Sequence, residues 1–172
     1  MKIKPNLNNN SLTREIFGLD ENLKKQKIDV IEEKPLTLYL NSQEIVTMMT
    51  INDYPEYLAL GYLLNQNMIT NRTRIESIEY DKDLSVVVVR TFNQTNFESK
   101  LKKKTITSGC AQGTAFGDVM ESFKKIKLSN TVKIKISWIY ELSKKINLTP
   151  SLYLKAGAIH GCVLCQRNSP LI

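Results

Sequence analysis

Between residues 36 and 40 every second side chain is leucine: Leu36, Leu38 and Leu40 alternate with Thr37 and Tyr39. A period of two places the leucines on one face of an extended chain, so this run is a strand with an apolar side. Pro35 cannot donate to a ladder and marks the start of the strand or an edge position. Asn41-Ser42 supplies a tight turn, and Glu44 to Thr50 returns as a second strand, making a hairpin. A start signal for a helix follows: Asn52 and Asp53 as candidate side-chain caps, Pro55 in the first turn, and Glu56 at the positive helix end. Tyr57, Leu58, Leu60, Gly61, Leu63 and Leu64 give this helix its apolar side through about Asn65.

The same signals recur downstream. Ile75 to Tyr80 and Leu84 to Thr91 flank Asp81-Lys-Asp83 and predict a second hairpin. Val86 to Val89 is β-branched throughout, which suits a strand covered on both faces. Phe97 to Thr107 predicts a third strand. Phe116, Val119, Met120 and Phe123 then have helical spacing. Ser137 is placed to cap a helix from Trp138 to Ile146, with Ile139, Leu142 and Ile146 on one face and Lys144 and Lys145 near its end. Leu152 to Cys165 is apolar and rich in small residues, which predicts a buried segment with packed cysteines. Residues 166–172 carry no usable pattern. Residues 1–24 are polar and Asn-rich and predict a flexible arm, with one helical turn around Arg14 to Leu19. The remainder, 25–172, predicts one α+β domain in which strand hairpins and a mixed sheet are packed by helices.

The 172 residues hold 24 Lys and Arg against 17 Asp and Glu, a net charge of +7. That excess favours an anionic partner, although a lysine-rich composition explains it equally well. Three cysteines, at 110, 162 and 165, are no disulfide framework, so the expected compartment is reducing and cytoplasmic. The N-terminus lacks the apolar stretch of a signal peptide, and Val86 to Val89 is far too short to cross a bilayer, so no membrane partner is expected. Neither a Gly-x-x-x-x-Gly-Lys loop nor a Gly-x-Ser-x-Gly elbow occurs.

Cys110 lies in Thr107-Ser-Gly-Cys-Ala-Gln-Gly113, where its neighbours give it no apolar face to pack into. Glycines at 109, 113 and 117 supply mobility, and Lys100 and Lys102 to Lys104 supply positive charge upstream. A thiolate near positive charge, free to reach a partner, is what sulfur chemistry needs. From these residues alone, a functional thiol and an ordinary loop cysteine stand level. His160, Cys162 and Cys165 carry metal-ligand residue types in a Cys-x-x-Cys arrangement. A zinc deaminase places a Glu two residues after the first ligand, and none stands there, so packed cysteines and no metal are expected. His160 is the sole histidine and reads either as a hydrogen-bonded structural residue or as part of a pocket. Lys100 to Lys104, Lys124, Lys125 and Lys127 lack the interleaved aromatics of a nucleic-acid surface, so no nucleic acid is expected.

Five segments in order resemble the FdhD/NarQ family of formate dehydrogenase accessory sulfurtransferases: Glu33 to Asn41, Val46 to Thr50, Tyr57 to Leu64, Thr107 to Cys110, and Ala156 to Leu164. The resemblance implies a fold related to the cytidine deaminases, without their zinc, over the second half. It implies that Cys110 takes persulfide sulfur from a cysteine desulfurase and hands it to the molybdenum cofactor, a molybdopterin guanine dinucleotide, for formate dehydrogenase. Gly157 and His160 fall in the segment that implies cofactor contact, and a homodimer is implied too. Where many members carry a second cysteine, this chain has Gly113. The resemblance also implies a truncated or naturally short member that stops before the family's later D-V-G-R-H-N stretch. A non-catalytic module that binds the pterin nucleotide or a partner protein is the alternative.

Overall fold

The computed structural model describes residues 12–93, 104–106, 114–116, 127, 129 and 131–171. The chain divides into two compact units, Glu33–Leu128 and the combination of Met1–Glu32 with Ser129–Ile172. The mixture of strands and helices is the α+β class that the patterning predicts.

In Glu33–Leu128, β3 (Lys34–Leu40) and β4 (Gln43–Thr50) form the expected hairpin, and so do β5 (Ile75–Asp81) and β6 (Val86–Thr91). The two hairpins join through a parallel pairing of β3 with β6, giving the strand order β4-β3-β6-β5. Leu38 therefore lies between Val46 on one side and Val87 on the other. Leu36, Leu38, Leu40, Val87 and Val89 are fully buried on one face of this sheet. The other face carries Thr37 hydrogen-bonded to Thr47, Tyr39 to Glu44, and Arg90 paired with Glu79 at 2.7 Å. Arg90 and Ser77 donate to the Glu79 carboxylate and hold its pKa below the ordinary value. Val86 and Val88 are accordingly only half-buried, and the strand is not covered on both faces as its β-branched run predicts.

The helix α1 (Pro55–Asn65) covers the apolar face. Pro55, Ala59 and Leu63, one per turn, are its buried stripe, and Ala59 and Leu63 join the sheet leucines and valines in one core. The cap position falls neither on Asn52 nor on Asp53. The cap position is Tyr54 in the left-handed region, with no side-chain hydrogen bond to the helix start. Asn52 is instead held by Thr50: its backbone N–H donates to Thr50 Oγ1 at 2.8 Å, and that hydroxyl donates to Asn52 Oδ1. At the other end Asn67, at φ 53°, takes the left-handed place that glycine often fills, and Met68 N–H returns to the Leu63 carbonyl at 2.9 Å.

Asn41 ties the ends of β3 and β6 together. Its N–H donates to the Val89 carbonyl at 2.8 Å, and its Oδ1 accepts from Thr91 N–H at 2.9 Å, although 50 residues separate the two. Thr91 is buried, and Asn41 sits at φ 56°, a region that asparagine tolerates better than most residues. Asn41→Ala removes this acceptor from a buried N–H and adds left-handed strain, so a loss of about 1–3 kcal/mol is expected in urea denaturation.

In the second unit, β1 (Thr13–Leu19) pairs with β2 (Lys25–Ile31) along its whole length. A strand therefore stands where a helical turn is expected around Arg14 to Leu19. The turn is built by Asp20, whose carboxylate accepts from the N–H groups of Asn22 and Lys24 and from Gln26 Nε2. These bonds, led by that from Lys24, hold the Asp20 pKa below its ordinary value. The helix α2 (Ile136–Leu148) starts two residues before the expected Trp138. Lys135 is its cap position, and Ser137 lies inside the helix. A short helix α3 (Leu152–Ala156) packs against β2, with Lys155 Nζ 3.7 Å from Asp29 and Leu152 buried. The tail, which carries no pattern in sequence, forms a small hairpin of β9 (Cys165–Gln166) and β10 (Ser169–Pro170). It is tied to α2 by Lys145 Nζ donating to the Asn168 carbonyl and Asn168 Nδ2 donating to Glu141.

Among the described residues no helix is long and apolar enough to cross a membrane.

Candidate functional site

Cys110 lies outside the described residues, as do Lys100, Lys102 and Lys103 and the positions Val119, Met120 and Phe123 of the expected helix. The chain on either side is described. The strand β7 (Lys104–Ile106) falls at the end of the expected Phe97 to Thr107 strand, and β8 (Thr114–Phe116) follows. Phe116 is thus in a strand rather than in the helix its spacing predicts. The two strands pair antiparallel, with Lys104 opposite Phe116, Thr105 opposite Ala115 and Ile106 opposite Thr114. Directly opposed residues in such a ladder have Cα atoms about 4.5–5.5 Å apart. The described residues on either side of 107–113, the segment with Cys110 at its middle, are therefore paired with each other.

The second candidate region departs from expectation. Residues 157–164 form neither helix nor strand, and His160 and Cys162 are exposed, with Cys165 intermediate. The apolar, small-residue composition of Leu152 to Cys165 predicts packed cysteines, but burial here stops at Leu152. The Cys165 thiol donates to the Val163 carbonyl at 3.6 Å. Burial alternates from Cys162 to Gln166, exposed then intermediate, as in an extended segment. Both Cys162 and Cys165 are free thiols. Among the described residues no cluster of three His, Cys, Asp or Glu side chains could hold a metal ion.

Gly157 ends α3 at φ 64° and ψ −165°, and its N–H closes the last turn onto the Tyr153 carbonyl at 2.9 Å. An added Cβ would meet nothing within 4 Å, so the constraint is backbone conformation and not space. This region of φ and ψ is essentially reserved for glycine, so Gly157→Ala is expected to cost about 1–3 kcal/mol, read as a lower urea midpoint. Nearby, Leu148, Pro150, Ser151, Leu154 and Lys155 line an open apolar hollow of about 370 Å³. Sequence reasoning passes over it because its walls come from the end of α2 and the length of α3. The Thr149-Pro150 break is the signal that could have marked it.

Residues 31–172 match the model of the FdhD/NarQ family. The chain belongs to that family. Among curated relatives, the "Sulfur carrier protein FdhD" of Wolinella succinogenes is 27% identical over 162 residues, which is 92% of this chain and 55% of the relative. The protein of the same name from Bacillus licheniformis is 26% identical over 163 residues, 93% of this chain and 62% of the relative. The Bacillus pumilus protein, again so named, is 26% identical over 146 residues, 84% and 55% respectively. The chain thus spans little more than half the length of these family members. Among solved structures, a candidate formate dehydrogenase accessory protein from Desulfotalea psychrophila superposes with a TM-score of 0.57 at 14% identity, over 93% of this chain and 60% of that one. At that identity the likeness is one of fold. All five resembling segments, from Glu33 to Leu164, fall inside the matched residues.

Proposed function

We propose that this chain carries sulfur on Cys110 as a persulfide, receiving it from a cysteine desulfurase and passing it to the molybdenum cofactor during maturation of a formate dehydrogenase. The observation that supports this reading is membership of the FdhD/NarQ family, with Thr107-Ser-Gly-Cys110 inside the matched residues. The pairing of β7 with β8 on either side of Cys110 is compatible with it, since a carrier thiol needs access to two partners in turn. In the loading step the Cys110 thiolate attacks the terminal sulfur of the desulfurase persulfide. A new S–S bond forms at Cys110, and the desulfurase thiolate leaves. The molybdenum cofactor is then the acceptor substrate, and Gly157 and His160 are the residues proposed to meet it. His160 is exposed and open to a ligand. A cytoplasmic location and a homodimer belong to the same reading.

The test is intact-protein mass spectrometry after incubation with a cysteine desulfurase and cysteine. One added sulfur atom, mapped by peptide digestion to Cys110, is expected. No added sulfur, or equal loading of Cys110→Ala, sinks the reading. The second reading, a non-catalytic binding module, draws on the coverage of little more than half of each relative. It predicts cofactor or partner binding that is unchanged in Cys110→Ala, with no sulfur on the wild type.

A further inference from the structure

The stretch that leads into α2 has the pattern of a strand and, among the described residues, no strand beside it. Val132, Ile134 and Ile136 alternate with Lys133 and Lys135. Three β-branched residues on one face and two lysines on the other is the period of a half-buried strand. Val132 is 71%, Ile134 69% and Ile136 70% exposed, so the apolar face is bare. Residues 132–135 belong to no ladder, and Lys135, at φ −79° and ψ 133°, is extended. Among the described residues the backbone of Val132, Lys133 and Ile134 makes no hydrogen bond. The segment therefore presents an unused row of donors and acceptors together with an apolar face, the two things strand addition uses.

Charge decides what can lie beside it. Residues 131–171 carry Lys133, Lys135, Lys144, Lys145, Lys155 and Arg167 against Glu141 alone, six cations to one acid. A second copy of the same segment is a poor neighbour. An antiparallel register centred on Ile134 puts Lys133 opposite Lys135, and like charges directly opposed weaken a pair. Shifting by one residue places lysine against isoleucine and destroys the segregation of faces. A strand that alternates apolar and acidic side chains satisfies both faces at once. We propose that residues 132–135 dock as an added strand on the sheet edge of a partner protein whose edge strand alternates apolar residues with Asp or Glu. This does not depend on sulfur carriage by Cys110.

The test uses the full chain and two fluorescein-labelled eight-residue peptides of about equal hydropathy, one alternating valine with glutamate and one alternating valine with lysine, read by fluorescence anisotropy. The glutamate peptide is expected to bind about tenfold or more tightly than the lysine peptide, the sum of several favourable against several unfavourable cross-strand pairs. Amide hydrogen exchange at Val132 to Lys135 should slow when that peptide saturates. The double variant Lys133→Glu with Lys135→Glu should reverse the preference, which an indirect structural effect would not do. Equal binding of the two peptides, binding without amide protection, or an unreversed preference overturns the proposal. Self-association of the wild-type chain that Ile134→Pro abolishes would assign the segment to a second copy and overturn it as well.

Discussion

Leu38→Ala is expected to lower the stability of the Glu33–Leu128 unit by about 2–5 kcal/mol, the range for deleting a fully buried leucine side chain. Leu38 is 0% exposed and sits on the central pair of the four-stranded sheet, between Val46 of β4 and Val87 of β6. A cavity there cannot be refilled from solvent, and β3 cannot shift to close it, because a slip of one residue would turn Leu36 and Leu40 to the polar face. The control is Leu84→Ala. Leu84 is 73% exposed, and its loss should fall within about 0.5 kcal/mol of wild type. Far-UV circular dichroism in urea is the measurement. The lone tryptophan is the wrong probe, because Trp138 belongs to the other unit and reports on α2. Equal midpoints for the two variants would mean that Leu38 is not the keystone its position indicates.

The parts of this fold that can be read from the sequence are those specified within a few residues. The Leu36, Leu38, Leu40 alternation, the Asn41-Ser42 turn and the Tyr54-Pro55 helix start each carry their own signal, and the structure holds β3, β4 and α1 where those signals put them. What escapes is specified at a distance or by a single side chain. Nothing near Leu40 says that it will lie beside Val89, and the parallel β3–β6 pairing exists because two apolar strand faces share one helical cover. The β1–β2 hairpin hides because its turn has neither Gly nor Pro. Asp20 does the work, and Leu23 accepts φ 61° although bulky residues resist that region. Ile16 and Leu19, three apart, imitate a helix there. The stretch from Ala156 to Cys165 misleads in the opposite sense. Small apolar residues imply burial on average, but burial needs an element packed on top, and the described residues place none over His160 or Cys162. Of the candidate site, the sequence offers a thiol among small residues and an order of segments that lies within the family match. It carries no local pattern that fixes where Cys110 lies relative to its lysines, and that stretch is outside the described residues.

Replacing Cys110 by alanine should abolish sulfur loading, and the other two cysteines make the design of that experiment matter. Cys162 is exposed and Cys165 partly so, and both are free thiols. Either could pick up sulfur by unspecific exchange with a persulfide, since exchange requires only access and some thiolate. Total bound sulfur is therefore a poor readout. The informative pair is Cys110→Ala against the double variant Cys162→Ser with Cys165→Ser. If Cys110 is the carrier, the double variant loads one sulfur per chain at the wild-type rate, a thiol reductant releases it, and Cys110→Ala falls to the slow loading that Cys162 and Cys165 acquire by unspecific exchange. Gly113 occupies the position where a second cysteine would stand, and the double variant removes the two remaining cysteines. In that variant loaded Cys110 has no other thiol in the chain to discharge onto, so its persulfide should persist until an acceptor or reductant arrives. Loading that survives in Cys110→Ala and vanishes in the double variant would move the chemistry to the exposed segment after α3 and require a different account of this chain.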